Sequence, residues 1–361
     1  MLSGWYTEDW PILGSPAEIR AGVSVREMNH LPGIVDERAS ASKVADKNAR
    51  RLPDFVIGGA PKCGTTSLHF ILAQRPEIGI PDDELFYFSA DDPLLHPDFF
   101  FFERGGLQWR DPRPSHRANA DWYADRFEPF ADCKLIGEDS TLYLFSETAP
   151  YRMRETLADP KIVFMLRDPV RRAYSQYWHE MKMMRVTCSF ERALTRFPTI
   201  VRGSTYAPHL KRWFDVLGRD RVQVLLFEEF LADKQGAMDQ VADFIGADRF
   251  DVSAHDDWFN RTYYPVNVTL HKAMNQIGQF IARQRYRSHM GYTGTWREWL
   301  AGKAYYNWFH KVNPLNLKAT TYPKMKAETE AFLTQHLNAR NHGLSDLLSR
   351  DLSRVWPGFE G

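Results

Sequence analysis

Four short, almost unbroken apolar runs set what this chain can fold into: DFVIG at 54–58, KLIGE at 134–138, KIVFML at 161–166 and VQVLLF at 222–227. Each is followed by a stretch with helical spacing: TTSLHFILAQ, ETAPYRMRETL, PVRRAYSQYWHEM and QGAMDQVADFIG. A strand apolar on both faces must be covered on both, and strands joined through helices pair in parallel. The alternation therefore predicts an α/β domain with a three-layer arrangement, a parallel sheet flanked by helices. One domain over residues 51–361 suits the length, with residues 1–50 as an N-terminal arm or linker ending in the polar DERASASKVADKNARR.

Two stretches interrupt the pattern. Residues 89–120 are rich in proline, glycine and phenylalanine, and residues 285–322 in tryptophan and tyrosine. Both read as long irregular insertions, placed to wall an acceptor pocket beyond the carboxyl ends of the strands.

The charges balance at 46 basic and 46 acidic residues, which removes the overall field that would draw the molecule to nucleic acid. No run of about 18 uncharged apolar residues occurs, so no membrane span is expected. The three cysteines, Cys63, Cys133 and Cys188, have no C-x-x-C spacing, and the histidines, among them His255, His271, His289 and His310, have no metal-ligand spacing. With no basic and apolar leader at the N-terminus, these features point to a cytoplasmic protein without a metal.

The first apolar run leads into GGAPKCGTTSL, residues 58–68. Gly59 and Gly64 have the spacing of a phosphate-cradling loop, which makes the sheet P-loop-like. Thr65 stands where the usual lysine would follow, and the lysine lies inside the loop at Lys62. A helix starting here aims the N–H groups of Gly64, Thr65 and Thr66 at an anion, with hydroxyls from Thr65, Thr66 and Ser67 beside them. Cys63, at the same helix start, is a small filler or a reactive thiol.

The third run ends at Leu166 and is followed by Arg167. Asp168 suits a helix cap and Pro169 the first helical position, so Arg167 falls at the carboxyl end of a strand, on the same sheet edge as the loop. Ser175 lies two turns into that helix, placed to close on the same anion. In the C-terminal stretch Phe332, Leu333 and Leu337 have the spacing of a core face.

Taken together, APKCGTTSL and RDPVRRAYSQY resemble the PAPS-dependent sulfotransferases, in particular the carbohydrate and bacterial branch. ELFYF (84–88), GEDSTLY (137–143), the run 203–230, KATTYP (318–323) and the trailing helix fall in the same order. The resemblance implies that Lys62, Gly64, Thr65, Thr66 and Ser67 hold the 5'-phosphosulfate of 3'-phosphoadenosine 5'-phosphosulfate (PAPS). It implies that Arg167 and Ser175 hold the 3'-phosphate, and that Lys318 closes over the phosphates, with adenosine 3',5'-bisphosphate as product. Ala319 and Thr320 depart from the glycine and arginine usual in that last motif. Glu84 matches the general base, and His69 is a weaker candidate.

The chemistry fits these roles: the nucleophile must lose a proton and the bridging oxygen gains charge, so a carboxylate belongs at one and a cation at the other. Asp83 and Asp139 occupy positions where lysine is common in the family, which points to a neutral or cationic hydroxylated acceptor, or an amine, rather than a polyanion. A P-loop kinase or NTPase is the enzymatic alternative, but lacks its lysine after Gly64. A nucleotide-binding module without catalysis is the other.

Overall fold

The computed structural model describes residues 50–96, 100–103, 106–109, 120–252, 263–285, 295–319 and 322–360. The arm over 1–49, His255, His289 and Thr320 lie outside the described residues. The chain opens with β1 (Phe55–Gly59), α1 (Thr65–Ala73), β2 (Ile78–Gly79), the paired β3 (Phe100–Glu103) and β4 (Gly106–Trp109), and α2 (Ala120–Asp125). Then come β5 (Leu135–Asp139), α3 (Ala149–Thr156), β6 (Lys161–Leu166), α4 (Pro169–Lys182), α5 (Phe190–Arg196), α6 (Thr199–Arg202) and α7 (Ala207–Leu217). After these follow β7 (Val222–Leu226), α8 (Phe227–Ala232), α9 (Lys234–Ile245), β8 (Tyr263–Pro265) and α10 (Val268–Arg285). The described chain ends through α11 (Trp296–Asn307), β9 (Leu317–Ala319), α12 (Ala327–Arg340) and α13 (Leu344–Leu348).

Five strands form one sheet in the order β2-β5-β1-β6-β7, with every pairing parallel. All four apolar runs of the sequence lie in it. β1 is central and all five of its residues are buried, because strands flank both its edges and helices cover both faces. β2 spans two residues and was not expected; so short a strand leaves no period to read.

One buried side chain ties the trailing helices to the start of α7. Asn341 is fully buried, and its Oδ1 accepts from the N–H groups of Tyr206 (2.6 Å) and Ala207 (3.3 Å), capping α7 from a distant part of the chain. Its Nδ2 donates to the carbonyls of Ser204 (2.9 Å) and Leu337 (3.0 Å). Asn341→Ala strands these groups and is expected to lower unfolding free energy by about 3 kcal/mol. Urea denaturation checks this; a loss below about 1 kcal/mol would mean that water replaces the amide.

Three expectations need correcting. The 89–120 insertion carries the antiparallel β3-β4 pair. The described part of the 285–322 insertion holds α11, a π-helical turn at Trp308–Val312 and β9, because good helix formers (Arg, Leu, Ala, Lys) lie between its aromatic residues. Phe332 is 60% exposed while Leu333 and Leu337 are buried, since only the latter pair shares one helical face.

Candidate active site

The loop after β1 is shaped by backbone geometry. Gly64 sits at φ +96°, and a β-carbon there would approach the Phe227 ring to 2.6 Å. Gly64 is the N-cap of α1 and has no side chain to cap it, so the helix begins with its first N–H groups turned toward the loop. Thr65 is buried, with Thr66 and Ser67 partly so. Lys62 is held at φ 70°, unusual for a residue with a side chain, and its ammonium donates to His179 Nδ1 at 3.3 Å.

β6 delivers the next residues on the same sheet edge. Arg167 follows its last residue, donates to the Lys62 carbonyl at 3.4 Å and lies 4.9 Å over the Phe227 ring, while its Nε is buried without a partner among the described residues. Asp168 caps α4 by accepting from Arg171 N at 2.8 Å, with Pro169 in the first turn, as the sequence indicates. Ser175 is buried within α4.

Arg172, Ser175, His179 and Lys182 recur at intervals of 3, 4 and 3 residues, which places them on one face of α4. Arg172 is buried and donates to the Pro61 carbonyl at 3.1 Å, bracing the loop. Lys182 faces Lys62 with its charge, and His179 with a ring nitrogen. Burial, then Lys182, Arg172 and Arg167, lower the Lys62 ammonium to about 8. Burial, then Lys62, Lys182, Arg185 and Arg172, hold His179 well below the usual imidazole range, so its neutral ring accepts the Lys62 hydrogen bond. His179, Arg172 and Lys182 are not singled out by motif; their helical spacing from Ser175 is the signal that could have found them.

Glu84 lies on the other side of β1, on the segment gripped by the residues that end β5. Its Oε1 accepts from Thr141 N (2.8 Å) and Thr141 Oγ1 (2.5 Å), and Ser140 Oγ accepts from Leu85 N (3.1 Å) and Phe86 N (3.0 Å). Burial, then the Asp139 charge, push the Glu84 carboxyl up to about 7 against the hydrogen bonds from Thr141. Beneath it, the buried Glu138 carboxyl accepts from Tyr123 (2.5 Å), Tyr143 (2.6 Å) and Ser140 (2.8 Å). His69 is not a free base: it is buried, with Nδ1 3.2 Å from Asp139 Oδ2.

Lys318 is carried separately, exposed on β9 opposite Tyr264 of β8. Tyr264 packs edge-on to Trp178 and Tyr322, and Tyr174 donates to the Pro323 carbonyl at 2.8 Å. These aromatic contacts tie the KATTYP segment to α4. Cys63 is fully buried and burial pushes its thiol up to about 11, which settles it as a filler rather than a reactive thiol. Among the described residues no group of three or more His, Cys, Asp or Glu could hold a metal ion, and no helix is long and apolar enough to cross a membrane.

A family model described as a sulfotransferase domain matches residues 52–262. Over 84% of its length the chain is 26% identical to a bifunctional heparan sulfate N-deacetylase/N-sulfotransferase 2 from Bos taurus, of which it spans 30%. Over 72% it is 25% identical to heparan sulfate glucosamine 3-O-sulfotransferase 3A1 from Homo sapiens, of which it spans 58%. A crystal structure of a sulfotransferase from Alicyclobacillus acidocaldarius matches in fold with a TM-score of 0.55 and 24% identity, covering 84% of this chain and 99% of that one.

Proposed function

The chain belongs to the sulfotransferase domain family, and from that premise we propose that it transfers a sulfuryl group from PAPS to a hydroxyl, or secondarily an amine, of a neutral or cationic acceptor. The observation that carries this is the opposition across β1: a cluster of cations on the β6 and α4 side, and a carboxylate held by Thr141 on the β5 side.

The residues suit a polyanionic donor. Among the described residues Arg167 Nε is buried without a partner, the N-cap of α1 is a glycine with no side chain to cap it, and Lys62 is crowded by like charges that an anion would relieve. In the proposed complex Gly64, Thr65, Thr66 and Ser67 hold the 5'-phosphosulfate, Arg167 and Ser175 the 3'-phosphate, and Lys318 covers both. Bound PAPS supplies the sulfuryl group. Glu84 takes the proton from the acceptor as its oxygen attacks sulfur, and Lys62 neutralises the charge growing on the bridging oxygen as adenosine 3',5'-bisphosphate leaves. Lys62 supplies the positive charge at that oxygen, so no metal enters the scheme.

Asp82 and Asp83 are exposed beside Glu84, and Asp139 lies behind it, so carboxylates surround the position of the nucleophile. That field disfavours a polyanionic acceptor. The heparan sulfate named for the relatives is therefore not the acceptor proposed for this chain. Incubation with PAPS and a mixed acceptor panel, followed by mass spectrometry, should show a sulfuryl gain on neutral or amine-bearing compounds. Heparan-type chains as best acceptor would overturn that choice, and ATP hydrolysis in place of any gain would favour a kinase or NTPase. Arg167→Ala should weaken binding of adenosine 3',5'-bisphosphate by roughly 10- to 100-fold in titration calorimetry, the worth of hydrogen bonds to a charged group. Unchanged affinity would remove Arg167 from the donor site.

A further inference from the structure

Glu84 has a second layer of support. Asp139 is the last residue of β5, and the next two residues, Ser140 and Thr141, grip the Glu84 segment through its backbone and its carboxylate. The Asp139 side chain is 6% exposed; one oxygen lies 3.2 Å from His69 Nδ1 of α1, and the other, Oδ1, is buried with no hydrogen-bond partner among the described residues. A buried carboxylate neutralised on one side only projects its charge through poorly screening surroundings. We propose that Asp139 and His69 are positioning residues for Glu84: Asp139 sets a buried negative charge beside the base and strengthens it, and His69 limits how much of that charge the base feels. The proposal rests on Glu84 being the base.

The neighbours of Glu84 agree with this division. From β5 and the turn after it come Asp139, Glu138 and the Thr141 donors; from α1 comes His69; from its own loop come the exposed Asp82 and Asp83. Glu138 spends its hydrogen-bonding capacity on Tyr123, Tyr143 and Ser140. Asp139 is the charge that raises the Glu84 carboxyl, after burial itself, and His69 is the one that lowers it.

The test is the pH dependence of kcat/KM, with PAPS and one acceptor, for the full chain and its Glu84→Gln, Asp139→Asn and His69→Gln variants. Asp139→Asn removes the like charge, so the acid limb should move down by about 1 pH unit and the plateau fall several-fold as the base weakens. His69→Gln keeps a donor toward Asp139 but no positive charge, so its limb should move up. Asp139→Glu should restore the parent profile, and Asp139→Ser carries the same expectation as Asp139→Asn if that variant does not fold. Calorimetric binding of adenosine 3',5'-bisphosphate reports folding and should be unchanged throughout. If Glu84→Gln is inactive while the limbs of the other variants stay in place or move together, the positioning role is overturned and the base stands. If Glu84→Gln keeps the parent rate and limb, the base itself is wrong and this proposal falls with it.

Discussion

Replacing Lys62 with alanine is expected to lower kcat by about 10²- to 10³-fold, the usual consequence of removing a preorganised charge from a developing anion. The loss should fall mainly on kcat, because Arg167, Ser175 and the start of α1 remain to bind the donor. Lys62 is preorganised for this role, since a left-handed backbone fixes the loop around it and neutral His179 holds its ammonium at 3.3 Å. Lys62→Arg should not rescue, since a planar guanidinium cannot occupy the place of a compact ammonium among Arg172, Lys182 and Arg167. Single-turnover measurement with saturating PAPS separates the chemical step from product release. A Lys62→Ala rate within tenfold of the parent would show that another group meets the leaving oxygen.

Glu84→Gln is expected to cost about 10²- to 10⁴-fold in kcat, the span assigned to a positioned general base. Its signature in pH is more specific than its size. Glu84, raised to about 7, must be ionised to accept a proton, so activity falls below that pH. Lys62, lowered to about 8, must be charged, so activity of the free enzyme falls above it. The parent kcat/KM should trace a narrow bell between these limits, and Glu84→Gln should flatten its acid side while keeping its alkaline side. A bell unchanged in the variant would assign the acid limb elsewhere.

What could be read from the sequence was what depends on neighbours along the chain. The strand, loop and helix around Lys62 were legible because glycine spacing, an apolar run and a helix start lie within a few residues of one another. Arg167 was legible because Asp168 and Pro169 mark the helix boundary that fixes its place. The contacts between distant segments were not. Lys62 and His179 are 117 positions apart, and Glu84 and Thr141 are 57 apart. His69 of α1 and Asp139 at the end of β5 meet side chain to side chain, far apart along the chain. No local period encodes such pairings. The aromatic insertion misled in the opposite way: aromatic crowding in 285–322 suggested a loop, while in α11 and the turn after it the residues between the aromatic ones carry helix propensity.

The strand order has a consequence for descent. β1 carries the loop of Lys62, β6 on one flank carries Arg167 and α4, and β5 on the other carries the grip on Glu84. The two flanks lie on opposite edges of the central strand, and each keeps its own parallel register to it. In the proposed reaction one flank chooses the donor and the other handles the acceptor. A lineage built on this sheet can explore new acceptors on the β5 side while inheriting its donor unchanged.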